Sequence, residues 1–158
     1  MILLNTWQTP FGLAPFDRIL DSDFSPAMDK ALEIALAGIL EIAESSEIPT
    51  FENTIIAQEE AESVLEQVAS VFYTLAGCDS NVVREELQRE FAPKISAYSS
   101  TVSSNKKLFE RIEYLWRNRS SLNLSPEQER VLMLTHRSFV RAGSCLLYTS
   151  DAADDSLR

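Results

Sequence analysis

Histidine, glycine and cysteine are almost missing from this chain. Its 158 residues include one histidine, four glycines and two cysteines. With so little glycine there is no Walker loop and no G-x-G-x-x-G, so phosphate-cradling loops are excluded. Scarce glycine and only six prolines also exclude collagenous, linker-like and disordered chains. A single histidine, His136, excludes H-E-x-x-H. Two cysteines, Cys78 and Cys145, are too few for a disulfide scaffold and suit a reducing compartment. No apolar run approaches the roughly 18 to 20 residues needed to span a bilayer. Positive charge is short as well: 14 Lys and Arg stand against 24 Asp and Glu, a net charge of -10. No basic cluster is evident, so neither nucleic acid nor an anionic membrane is expected as a partner. The first basic residue is Arg18, and the start lacks the charged and apolar regions of a signal peptide. A cytoplasmic location is expected.

What is present is helical patterning. Residues 1–24 form an arm punctuated by Pro10, Gly12 and Pro15, too broken for a long helix. Trp7, Phe11, Phe16 and Phe24 give the arm bulk that should lie on an apolar surface. From Ser25, expected as an N-cap ahead of Pro26, a stripe runs Met28, Leu32, Ala35, Ile39, Ile42. Ile34, Leu36 and Leu40 lie off that stripe, so this helix should have neighbours on more than one side. Thr50 opens a second pattern, Ala61, Leu65, Val68, Phe72, Leu75, which Gly77 should close in left-handed conformation. A third runs from Val83 through Leu87, Phe91, Ile95 and Tyr98 to Val102; Pro93 inside it should kink or split the helix. Leu108, Ile112 and Leu115 mark a fourth. Ser125-Pro126-Glu127-Gln128 is a capping box that opens a fifth, through Leu132, Thr135 and Phe139. No segment alternates as a strand does, and no repeat recurs at a fixed period. The expected fold is all-α, about five helices behind an irregular arm.

Candidate chemistry is thin. Glu59, Glu62 and Glu66, beside Glu60, share a helix face as metal-bridging carboxylates must. A di-iron bundle also needs Glu-x-x-His elsewhere, and the residue three before His136 is Met133. A solvated acidic face is expected, with a weak carboxylate-only cation site as the rival. His136 could serve Ser138 or Cys145 as a base, but neither lies three or four residues away on a helix. A solvent-facing or capping histidine is expected. The Asn-x-Ser matches at Asn118 and Asn123 matter only in a secreted chain. No catalytic, cofactor-binding or metal-binding residue is assigned.

Several stretches carry a family likeness: residues 9–19 (TPFGLAPFDRI), 49–55 (PTFENTI), 71–81 (VFYTLAGCDSN), 90–94 (EFAPK) and 139–143 (FVRAG). In order and spacing, from about residue 5 to about 143, they resemble the N-terminal region of bacterial peptidyl-dipeptidases and oligopeptidases. These belong to the thimet-oligopeptidase family of zinc metallopeptidases. The resemblance implies a largely helical enzyme that hydrolyses short peptides in a deep channel. It also implies zinc held around H-E-x-x-H, a run this chain lacks. The chain would form a channel wall and be inactive without its catalytic partner half. Residues 25–143 are then the helical region of the metallopeptidase. Residues 144–158 depart from the family pattern and read as a foreign or disordered tail. The alternative is a stand-alone acidic helical interaction module without enzymatic activity.

Overall fold

The computed structural model describes residues 1–143, so the tail expectation for 144–158, and with it Cys145, lies outside the described residues. Among them are five α-helices and no strand: α1 (Phe24–Glu44), α2 (Ala57–Cys78), α3 (Val82–Ser103), α4 (Lys106–Asn118) and α5 (Pro126–Arg141). The all-α expectation holds. No helix among the described residues is long and apolar enough to cross a membrane. The described residues divide into two compact units, residues 1–37 with 61–98, and residues 38–60 with 99–143.

The first unit is built on small residues. Ala27, Ala31 and Ala35 recur every four residues along α1, and all three are fully buried. Beside that ridge Phe72 meets Phe24 and Phe91 edge-to-face, with ring centroids 5.1 and 4.8 Å apart. Such pairs add about 0.5–1.5 kcal/mol each beyond the area they bury. Met28, Leu65, Val68 and Leu87 complete this core.

The arm is a series of short 3-10 turns. It enters the core through fully buried Leu3 and through Ile19, and Gln67 donates to the Leu3 carbonyl at 2.7 Å. Trp7 is half-buried and donates to the Ile2 carbonyl at 2.9 Å. Phe11 and Phe16 depart from expectation, at 98% and 46% exposed. Phe11 occupies left-handed backbone, φ 59°, just before Gly12 at φ 66°, which turns its ring away from the chain.

Three local signals yield to tertiary packing. Ser25 does not cap α1. The helix continues out of a 3-10 turn at Asp21–Asp23, where Asp23 accepts the Leu20 N–H at 2.9 Å. The Ser25 hydroxyl donates to Glu90 instead, also at 2.9 Å. Gly77 does not close α2 in left-handed conformation. Positive φ among the glycines belongs to Gly12 and Gly143. The helix runs on to Cys78 with Ala76 held in the core, and Asp79 N–H donates to the Leu75 carbonyl. Pro93 does not split α3, which is one helix through Ser103. Phe91, fully buried, holds it on one side of the proline. Lys94, bonded to Asp29 and Glu90, holds it on the other.

The second unit takes its sequence-coded starts. Thr50 and Asn53 cap each other reciprocally at 2.8 and 3.0 Å. The turn they open is a π-helical one, Phe51–Ile56, which leads into α2. Ser125 and Gln128 form the expected capping box, at 2.9 and 3.2 Å. Asn105 caps α4 by accepting the Leu108 N–H at 3.0 Å. Leu108, Ile112, Leu115 and Leu132 are fully buried where α4 and α5 pack.

Replacing Phe72 with alanine should cost about 3–5 kcal/mol, because it empties the centre of the aromatic cluster. The fully exposed Phe11 should change stability by less than about 0.5 kcal/mol on the same replacement. Urea unfolding followed by circular dichroism measures both.

Candidate functional site

One cluster of polar and aromatic side chains lies on α4 and α5. His136 projects from α5 and is only 15% exposed. Its ring stacks on Trp116, centroids 5.0 Å apart and planes within 15°, and beyond that on Phe109 at 6.0 Å. Its Nε2 lies 2.5 Å from Glu113 Oε2, and the other oxygen of Glu113 accepts from Arg117 Nε at 2.6 Å. Partial burial pushes the Glu113 carboxyl up. The bonds to His136 and Arg117 outweigh it and hold the group below the ordinary glutamate value. The Arg119 guanidinium also lies over the indole, 4.0 Å from the Trp116 ring centre, a cation–π contact.

Just before Glu113, on the stripe of Leu108, Ile112 and Leu115, Arg111 is 6% exposed. It is held by oxygen rather than by a carboxylate. Nη1 donates to the carbonyls of Ser45 and Glu47, both at 3.0 Å, and Nη2 to Asn53 Oδ1 at 2.9 Å. Burial lowers its pKa and nearby Glu47 raises it; a guanidinium starts so high that it stays charged at neutral pH. Arg111 thus fastens the segment 45–53 to α4. Beside it a hollow of about 420 Å³ is lined by Ser45, Glu47, Pro49, Lys107, Arg111 and Tyr114, among others. A second hollow, about 310 Å³, is lined by Trp116, Arg119, Pro126, Glu129, Arg130 and Met133. A third, about 510 Å³, belongs to the arm around Trp7 and Arg18.

The residues singled out from sequence fall apart in space or into structural roles. Of the acidic face, Glu59 and Glu66 are exposed, and Glu62 accepts the Tyr98 hydroxyl at 2.7 Å. Burial first, and the Glu62 bond second, push the Tyr98 phenol well up. His136 is neither solvent-facing nor a cap, contrary to expectation, because Trp116, Phe109 and Glu113 enclose it. Ser138 and Cys78 are exposed. Among the described residues no three His, Cys, Asp or Glu side chains converge as metal ligands do. His136, whose Nε2 faces Glu113, therefore does not fit a zinc site. Sequence reasoning missed Arg111, Glu113 and Trp116. Arg111 left one trace, a charged residue on an apolar stripe. Glu113 and Trp116 left none, since both meet His136 across two helices.

No family model matches the chain. Comparison with curated proteins is more telling. The dipeptidyl carboxypeptidase of Escherichia coli K12 is 33% identical over 141 residues, covering 89% of this chain and 21% of that protein. Its counterpart from Salmonella typhimurium LT2 is 32% identical over 144 residues, 91% of this chain and again 21% of the relative. This chain is similar to a segment of the dipeptidyl carboxypeptidases. Oligopeptidase A of E. coli K12 is 25% identical over 141 residues, 89% of this chain and 21% of its own length. The chain therefore spans about a fifth of the length of the curated relatives it matches. The resemblance read from its motifs holds.

The two polar clusters respond to different perturbations. Glu113 has a folded-state pKa below its unfolded value. Its contribution to stability is fully present above the unfolded value and is lost as pH falls through the folded one. Urea midpoints of the wild type should drop further between about pH 7 and about pH 3 than those of Glu113→Gln. Arg111→Met should strand the carbonyls of Ser45 and Glu47, at a cost of about 2–4 kcal/mol. It should also speed hydrogen exchange across 45–53 more than elsewhere.

Proposed function

We propose that this chain is part of a peptidase of the dipeptidyl carboxypeptidase kind, acting on short peptides. The observation that carries the reading is the similarity over 89% of the chain to 21% of such an enzyme. The reacting groups are supplied by the other part of the enzyme, which holds zinc around H-E-x-x-H; this chain contributes helical wall to the substrate channel. Its own architecture supports that division of labour. His136 is tied to Glu113, and Arg111 to backbone carbonyls. Neither leaves a nucleophile or a metal ligand set free. Metal-assisted hydrolysis needs an open position on the ion and a bound water. Residues of this chain therefore act by shape and charge, and the enzyme works in the cytoplasm.

A chimera tests this. Residues 1–143 replace the matching segment of the E. coli dipeptidyl carboxypeptidase, and a quenched fluorescent peptide reports cleavage. The chimera should cleave and lose activity to a chelator, whereas the enzyme with that segment deleted, and this chain alone, should not cleave. A soluble, folded chimera with no activity would overturn the reading.

A further inference from the structure

The net charge of -10 hides a segregation. Residues 1–103 hold seventeen Asp and Glu against five Lys and Arg, while 104–143 hold four against eight. The hairpin of α4 and α5 is thus basic in an acidic chain. Most of its cations near the core are occupied: Arg111 by carbonyls, Arg117 by Glu113 and Lys107 by Glu44. Arg119 and Arg130 are different. Arg119 donates to the Trp116 carbonyl at 2.6 Å and covers its ring. Arg130 touches the Met133 sulfur at 3.9 Å. Neither is paired with a carboxylate among the described residues, and of the five N–H donors of each guanidinium most are left to offer. Both line the same hollow of about 310 Å³.

The geometry points to this hollow as a subsite for a carboxylate of a short peptide. Three features select that ligand. Two guanidiniums suit a carboxylate, which a pair of N–H donors can grip in bidentate fashion. Trp116, Pro126 and Met133 give an apolar floor for the methylenes next to it. Glu129, also in the lining, repels a second negative charge and accepts from a peptide N–H or a terminal ammonium. A polyanion is opposed by that acid and by the chain's overall negative charge, whereas a peptide carries a carboxylate and N–H groups together. Trp116 is packed by both Arg119 and His136, and His136 is tied to Glu113, which orders this wall. The inference extends the peptidase reading, since peptides are the substrates it proposes, but the binding stands or falls without catalysis. The carboxylate is either a C-terminus or an acidic side chain.

The test uses the full chain carrying Trp7→Phe, which leaves Trp116 as the one tryptophan reporter. Three blocked dipeptides are titrated in low salt: acetyl-Ala-Ala with a free C-terminus, acetyl-Glu-Ala-amide, and the neutral acetyl-Ala-Ala-amide. Saturable fluorescence change is expected with the first or the second, which identifies the source of the carboxylate, and none with the third. Arg130→Gln should weaken binding about tenfold or more, as should Arg119→Gln, both read by calorimetry. Arg137→Gln, elsewhere on α5, should leave it unchanged, and all variants should keep wild-type helicity. An equal response to the neutral peptide, no loss in Arg130→Gln, or no response to any probe at millimolar concentration would overturn the subsite. An inactive chimera with intact binding would sink only the enzyme reading, and an active chimera without binding only the subsite.

Discussion

A helix that is apolar on more than one side must be covered on more than one side, and α1 imposes that demand. Its alanines at 27, 31 and 35 are fully buried, and Met28 is buried beside them. Small side chains let neighbouring backbone come close, and close approach favours flat groups set edge-on. Phe24, Phe72 and Phe91 accordingly meet in T-shaped pairs rather than stacks. With Phe91 pinned, α3 can carry Pro93 without breaking. With Ala76 pinned, α2 can run past Gly77. Each local irregularity is absorbed because its neighbours are already fixed by the covering of α1.

The second unit solves a different problem, a polar segment held beside an apolar helix. Residues 45–53 present carbonyls inward, and backbone oxygen left unpaired away from water is costly. Arg111 meets three oxygens of that segment at once, which a lysine with one compact ammonium would do less well. Further along α4, His136 fills the gap between Trp116 and Phe109 and satisfies Glu113. One histidine thus serves packing and hydrogen bonding together, and this leaves it unsuited to metal.

What the sequence disclosed was whatever is encoded within a few residues. The stripes of α2, α4 and α5, the reciprocal caps at Thr50–Asn53 and Ser125–Gln128, and the all-α class were all legible. Ser25, Gly77 and Phe11 were misread because their outcomes depend on groups outside the local window: Glu90, the buried Ala76, and the left-handed turn with Gly12. Arg111 reaches partners 58 to 66 residues away, and His136 a partner 23 residues away; no periodicity connects such pairs. The family likeness was legible for another reason. It rests on whole phrases, such as residues 9–19 and 49–55, whose caps and turns are reproduced in the fold.

Charge shows how a whole-chain figure can mislead. A sum of -10 speaks of solubility and of long-range repulsion from polyanions. Screening cuts that reach to about 8–10 Å at ordinary salt, so a ligand the size of a dipeptide answers to the few charges around it. Around the hollow at Trp116 those are Arg119, Arg130 and Glu129. For a segment matching a fifth of a peptidase, this local pattern is where function would be expressed. Such a segment can contribute without a reacting atom of its own, by fixing where a substrate's charge comes to rest. An indole on a helix, packed by a histidine ring and a guanidinium, is a better support for that than a loop would be.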